Sequence, residues 1–548
     1  MLSELKNTKL SQDNLVKYTI IISGLFCLVL LIYHFLLDNF APPGQYTSSL
    51  PEWNADRLMM AFFWKYKFNL YNPQDNVGPL ISDMYGPFLA LAYLPATIAN
   101  SPTFALVLGK ILSLGYYFIP VIWLYISETW QQKKLSLSIL ALIAFFFFTT
   151  EYRTLFYDAF RICADCPALG FSALACVIIY REQGKQEIPI IKLLISAILA
   201  VIAVWSKQIA VPILIALPLY IFLAWDIKIF WRYLVCLLVS GTIISTILLV
   251  AFNPEALLFN VITIPGHHPW IGDAEKVEAL LSGVIQENID PWINGSNTIL
   301  ALLSIAKELT KSCLFPGTIV LFSILLTPPK DFTTFKTWIQ DNPWLLFFIA
   351  SLCFIPTSLL GEIKIGGDEN GFYTVYFLTI TAILILLRLA SKVSTESEQG
   401  LFQRAGQTGL LAIVIMFTIH NVNLPIPYIY QAIPNFSHNV HQVVYEYSQK
   451  NPGKVYFPWH PFSVLMAENK LYHIDSGPLD RYLSGFPISK EDFLAYLPEN
   501  FTMIAVPTWA KERGEQGQFY LHYLPEFNHK IEVPELSGFD VYVKESEE

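Results

Sequence analysis

Long uninterrupted runs of apolar residues constrain this chain more than any other feature. Tyr18–Leu37, Leu234–Phe252, Leu345–Pro356 and Phe372–Leu387 carry almost no ionisable groups. A helix of about 20 such residues crosses roughly 30 Å of hydrocarbon with its backbone hydrogen bonds satisfied internally. Charge content agrees: 14% of the 548 residues are charged, against roughly 25% in soluble proteins. A chain this poor in charge cannot cover a soluble surface of its size. Its basic residues are scattered, which argues against nucleic acid as a partner. The net charge of −9 says little about partners.

The expected fold is a polytopic α-helical membrane protein with about eleven transmembrane helices. Spans are predicted at 18–37, 103–127, 135–150, 167–180, 190–205, 208–225, 232–252, 312–327, 343–360, 371–388 and 405–421. The first run lacks a small-residue cleavage site and reads as an uncleaved signal anchor. Loop lysines and arginines set the orientation. Lys6, Lys9 and Lys17 at the N-terminus share a side with Lys133, Lys134, Arg181, Lys185, Lys192, Lys228, Arg232, Lys330, Lys336, Arg388, Lys392 and Arg404. That side is read as cytoplasmic, in a multi-pass protein of the plasma (inner) membrane. Residues 1–17 are then a cytoplasmic tail, and 18–425 a membrane module with two long outer loops, 38–101 and 253–311. Residues 430–548 turn polar, with short alternating runs at Lys454–Phe457, Met503–Val506 and Val541–Val543 and a helical pattern at Val440–Gln449. They predict a small α/β or α+β extracytoplasmic C-terminal domain.

The informative polar residues collect at the predicted outer ends of helices. They are Glu52, Asp56, Arg161, Asp165, Lys207, Gln208, His267, His268, Asp368, Glu369 and Asn370. Ionisable groups near membrane depth are costly unless they face protein, water or a partner. Acids and bases gathered on one face suit an anionic lipid head group and a polar second substrate. Each piece also has a structural reading. Glu52 and Asp56 would share a helix face. Arg161 and Asp165 could pair with each other. Lys207 could snorkel between two apolar helices. His267 and His268, followed by proline, read as a loop turn. Cys163-Ala164-Asp165-Cys166 is formally a CxxC. It lacks the further ligands that zinc wants and the thioredoxin-like context of a redox pair. Most of the seven cysteines lie in or beside apolar runs and read as small packing residues.

Taken in order, five segments resemble the GT-C class of integral-membrane glycosyltransferases. The resemblance is to the bacterial branch related to protein O-mannosyltransferases and lipid A aminoarabinose transferases. Asp56-Arg57-Leu58-Met59-Met60-Ala61 is similar to the family's acidic motif ahead of an aromatic helix. Tyr71-Asn72-Pro73 with Met84-Tyr85-Gly86-Pro87-Phe88 looks like its Tyr-Pro-Pro-Leu segment. Arg161 to Leu169 resembles Arg-x-Asp-x-x-Ala-Leu, and Trp205-Ser206-Lys207-Gln208-Ile209-Ala210 resembles Thr-Lys-Gln-Thr-Ala. Gly366-Gly367-Asp368-Glu369-Asn370-Gly371-Phe372 resembles Gly-Ser-Asp-x-Asn-Tyr. Together they cover about residues 40–390. The acidic pair departs from the pattern, because Arg57 follows Asp56 and Glu52 lies four residues earlier.

The resemblance implies a glycosyltransferase that takes a sugar from a polyprenyl-phosphate donor. It passes the sugar, with inversion, to a glycan, lipid or protein acceptor in the cell envelope. Asp56, or alternatively Glu52, would be the general base. Lys207 and Arg161 would meet the donor phosphate. Asp165, Gln208, Asp368, Glu369, Asn370, His267 and His268 would hold sugar or acceptor. Membrane lipids are the other expected partner. No cofactor is called for; a divalent metal is compatible with the acids, but nothing in the sequence requires it. A lipid-linked-sugar flippase or a non-catalytic envelope-assembly protein would also collect charges at helix ends. The flippase would further want polar residues at the bilayer midplane and repeat symmetry. Neither is seen beyond Lys110.

Overall fold

Apolar side chains decide the architecture by facing outward as well as inward. A computed structural model describes residues 51–75, 78–81, 84–130, 135–151, 161–270, 298–329, 334–364, 367, 371–391, 397–421, 439–508, 510 and 519–544, with single positions Ile22, Leu25 and Val29. Among these, five helices are long and apolar enough to cross a membrane: Pro102–Trp130, Ile227–Ala251, Thr298–Leu326, Leu345–Glu362 and Tyr373–Ser391. Shorter apolar helices include Asp165–Tyr180 and Ile190–Ser206. On Ile227–Ala251 the exposed residues include Val235, Leu238, Ile243, Ile247 and Val250. A water-facing surface would not carry such a stripe, whereas lipid tails accept it. Tyr373–Ser391 is the opposite case, buried over almost its whole length. It packs against Leu345–Glu362, Thr298–Leu326 and the Ser397–Asn421 helix, and so forms the axis of the bundle.

The first expected span, 18–37, lies outside the described residues apart from three single positions; the described parts of the later spans fall on helices, with two differences. Span 208–225 opens as a separate turn, Gln208–Ala210, before the helix Ile213–Ala224. The 253–311 segment, expected as a loop, is helical at both ends. Pro254–Leu258, a π-turn at Phe259–Thr263 and Ile264–His267 follow one another. The helix expected to start at 312 begins at Thr298. Lys307, Glu308 and Lys311 break the hydropathy there without breaking the helix, and Lys311 reaches Glu308 one turn away at 2.6 Å.

Three of the C-terminal runs expected as strands pair into a sheet, joined by a strand that the pattern did not announce. β1 (Val455–Tyr456), β2 (Met503–Pro507), β3 (His529–Ile531) and β4 (Phe539–Val543) lie in the order β1-β2-β4-β3. β1 runs parallel to β2, and the other pairs are antiparallel. The helix Val440–Lys450 is capped by the Asn439 side chain. An aromatic-rich core fills this unit, with Trp459, Tyr456 and Tyr520 fully buried.

The unit is docked onto the segment that follows the Pro51–Tyr66 helix. Leu80 N–H donates to His473 Nδ1 at 2.8 Å, and Ile474 N–H donates to the Leu80 carbonyl at 2.9 Å. With Nδ1 accepting, His473 donates through Nε2 to the Phe493 carbonyl at 3.1 Å, which fixes a neutral tautomer. Burial pushes its pKa down to about 3. Two residues on, burial pushes the Asp475 carboxyl up to about 7, although the amides of Phe519 and Tyr520 donate to it and pull the other way. These shifts have opposite consequences. The His473 contribution to stability is whole above about pH 6.5 and is lost as pH falls through about 3. The Asp475 contribution is whole below about pH 4 and is lost as pH rises through about 7. In Asp475→Asn the apparent melting temperature of the detergent-solubilised protein, measured relative to wild type, should therefore climb from pH 4 to 6.5. In His473→Gln it should drop over the same range. Each slope is at most about 1.4 kcal/mol per pH unit. Two variants that track the wild-type profile would contradict the assignment.

Candidate active site

The centre of the candidate site is an ion pair that joins distant stretches of chain. The Ile190–Ser206 helix stops at Lys207, whose backbone is extended (φ −150°, ψ 133°). The break frees the Lys207 side chain from the helix surface. Its Nζ donates to both carboxylate oxygens of Asp165, at 2.7 and 2.8 Å. Asp165 opens the Asp165–Tyr180 helix and is 1% exposed. Tyr373, at the start of Tyr373–Ser391, donates its hydroxyl to the same carboxylate at 2.9 Å. Three helices thus meet at one carboxylate. A buried charge pair survives only when its remaining lone pairs are satisfied, and Tyr373 supplies that bond.

The neighbouring segment brings a second cation to the same place. Tyr85 lies with its ring under two positive groups: Lys207 Nζ is 5.6 Å from the ring centre and the Arg57 guanidinium carbon 5.0 Å. Arg57 Nη2 also donates to the Tyr85 hydroxyl at 3.2 Å. Shielded from solvent, Arg57 Nε has no hydrogen-bond partner among the described residues. Burial disfavours the Arg57 charge, but Tyr85, Asp56, Cys163 and Asp480 together outweigh it and raise its pKa. Asp56 itself is 7% exposed.

This convergence depends on Gly86. A Cβ at that position would lie 1.8 Å from the Trp205 carbonyl oxygen, so no other residue lets the chain pass so close to the end of Ile190–Ser206. Further bonds hold the segment in place. Tyr71 donates to the Tyr85 carbonyl at 2.6 Å. The Gln208 amide donates to the Met84 and Val261 carbonyls at 2.8 and 2.7 Å. Asn260 donates to the Asn72 carbonyl at 2.8 Å. Asn54 accepts the Ile162 amide at 2.6 Å, which ties the helix bearing Asp56 and Arg57 to the turn before Asp165.

The residues singled out in the sequence are distributed as follows. Asp56, Asp165, Lys207 and Gln208 come together, with Arg161 in the turn leading to Asp165. The Gln208 amide group is occupied by two backbone carbonyls. His267 and His268 lie at the seam with the C-terminal unit. His267 bonds the Thr263 carbonyl of its own helical segment and packs on Phe486, while His268 is 3.4 Å from Asp480. The Glu52 side chain and residues Asp368, Glu369 and Asn370 lie outside the described residues. Sequence reading passed over Arg57, Tyr85 and Tyr373. Arg57 was visible as a basic residue directly after the acid, and Tyr85 as an aromatic before the obligatory glycine. No local signal links Tyr373 to Asp165.

No protein-family model and no curated protein matches the chain. Among solved structures, it is similar over 98% of its length to ArnT from Cupriavidus metallidurans bound to undecaprenyl phosphate. That match covers 99% of the ArnT chain at 11% identity, with a TM-score of 0.49. It is also similar to the archaeal oligosaccharyltransferase AglB from Archaeoglobus fulgidus in complex with an inhibitory peptide and a dolichol-phosphate (98% and 75% covered, 10% identity, TM-score 0.42). A third is the arabinofuranosyltransferase AftD from Mycobacteria (98% and 40% covered, 10% identity, TM-score 0.41). Likeness at this level does not reach to activity or substrate.

The ion pair makes a sharp prediction for stability. Asp165→Leu or Lys207→Met alone strands a buried charge and should cost about 3–5 kcal/mol. The double change removes both charges and should leave the protein more stable than either single variant. Thermal unfolding of the four proteins in detergent checks this, and losses that simply add would contradict it.

Proposed function

We propose that this protein is a membrane glycosyltransferase that moves a sugar from a polyprenyl-phosphate-linked donor to an acceptor hydroxyl on the outer face of the membrane, with inversion. The observation that carries this reading is the convergence of Arg57 and Lys207 on Tyr85, with Asp56 and Asp165 alongside. An unpartnered, solvent-shielded Arg57 donor beside a lysine suits an anion such as a lipid phosphate.

In the reaction, the acceptor oxygen attacks the anomeric carbon while the bond from that carbon to the phosphate oxygen breaks. Asp56 takes the hydroxyl proton, with Glu52 one helical turn before it as the alternative base. Arg57, Lys207 and Arg161 stabilise the phosphate as it gains charge. Negative charge nearby also favours the oxocarbenium-like transition state. Asp165, buried and engaged by Lys207 and Tyr373, orients the lysine and does not touch the sugar. Gln208 holds the loop. Asp368, Glu369 and Asn370 remain the candidates for sugar or acceptor. His267 and His268 act through the seam with the C-terminal unit, where Asp480 reaches both His268 and, electrostatically, Arg57.

Asp56→Asn and Glu52→Gln are tested separately for product formation with purified protein and a polyprenyl-phosphate sugar. One of them should lose about 10²–10⁴-fold in rate. Normal rates in both would overturn the reading, and no product from any form of the protein would favour a transporter or an assembly subunit.

A further inference from the structure

The Cys163–Cys166 pair is not used by the mechanism above, yet it encloses Asp165. The two sulfurs lie 3.6 Å apart at the N-terminus of the Asp165–Tyr180 helix, and Cys166 Sγ is also 3.6 Å from the Arg161 carbonyl. The turn carrying them is anchored on both sides. Ile162 N–H bonds Asn54, and Tyr93 donates to the Cys163 carbonyl at 3.1 Å. The pair is asymmetric: Cys166 is fully buried, whereas Cys163 keeps a small exposed surface, and the half-buried Arg161 stands at the same turn. A hydrogen bond with Cys166 holds the Cys163 thiol below its ordinary value, against the opposite pull of burial. CxxC sulfurs at a helix N-terminus form the arrangement in which thiolates are favoured and disulfides form across one turn. The thioredoxin-like fold that sequence reading required is not needed for that geometry.

We propose that Cys163 and Cys166 form a reversible disulfide, so that the turn carrying Asp165 exists in a dithiol and a cross-linked state. The oxidant is an external disulfide, either a small molecule or an oxidised protein dithiol. The Cys163 thiolate attacks one of its sulfurs, forming a mixed disulfide and expelling a thiolate. Cys166 then loses its proton and attacks Cys163 sulfur, and the second thiolate leaves. Two electrons and two protons pass to the external disulfide, which becomes two thiols, while one sulfur–sulfur bond closes in the protein. Closure needs the sulfurs to approach to about 2 Å, a short movement that braces the backbone on both sides of Asp165. The proposal rests on the outward placement in the preceding reading only for where such an oxidant is met.

The test uses the full-length protein in detergent, treated with oxidised glutathione. Remaining thiols are then alkylated under denaturing conditions, and the peptide containing both cysteines is weighed. The expected peptide is unalkylated and two mass units lighter than the dithiol form, and dithiothreitol restores two alkylations. In Cys166→Ala the lone Cys163 should retain a glutathione adduct, while in Cys163→Ala the buried Cys166 should not. Full double alkylation of the wild-type peptide after oxidation would overturn the proposal, and so would equal adducts on the two single variants. The readout involves no sugar transfer, so a disulfide that forms in an inactive protein would leave this proposal standing while the transferase reading fell.

Discussion

The structure depends on one bidentate ion pair, Lys207 with Asp165, held where water is scarce. Its two members lie at the ends of different helices, and Tyr373 brings a third helix to the same carboxylate. Such a pair gains little net stability over a well-packed apolar pair, because both ions must be desolvated. What it enforces is register. Ile190–Ser206, Asp165–Tyr180 and Tyr373–Ser391 cannot slide past one another without stranding a charge. Lys207 Nζ is therefore held at a fixed height, 5.6 Å from the centre of the Tyr85 ring.

Around this pair, the chain between Pro51 and Ala92 is clamped rather than loose. Gly86 passes the end of a helix at a distance only glycine allows. Side-chain bonds from Gln208 and Asn260, in the turns after the Ile190–Ser206 and Pro254–Leu258 helices, fix it from outside, Tyr71 fixes it from within, and His473 and Ile474 fix it from the C-terminal unit. Arg57 is positioned as a consequence. Two cations over one aromatic ring repel each other. The arrangement is sustained by the nearby acids and suited to an incoming anion. The C-terminal unit takes part through Asp480, which ties its geometry to the Arg57 charge.

The helices were legible because burial in lipid and in the bundle both demand long apolar runs, and hydropathy reads those directly. Where charge interrupts a helix, as at Lys307, Glu308 and Lys311, the same signal starts too late and shortens the expected helix to 312–327 against the observed Thr298–Leu326. Strand β3 was missed because its exposed residues, His529 and Lys530, show no alternation of apolar and polar positions. Site residue types were legible as groups, since acids and bases at helix ends are costly and therefore conspicuous. Their pairing was not. Asp165 and Lys207 carry no local mark of each other. Arg57 read as an interruption of an acidic motif, and only the folded chain brings its guanidinium over Tyr85.

The central claim is that Arg57 and Lys207 together form the seat of a lipid phosphate. A structure determined with a polyprenyl phosphate bound tests it most directly. The account predicts phosphate oxygens within about 4 Å of both Lys207 Nζ and the Arg57 guanidinium, with Asp56 facing the side from which an acceptor enters. A phosphate seated elsewhere, with Arg57 and Lys207 still turned to Tyr85 and Asp165 alone, would contradict it.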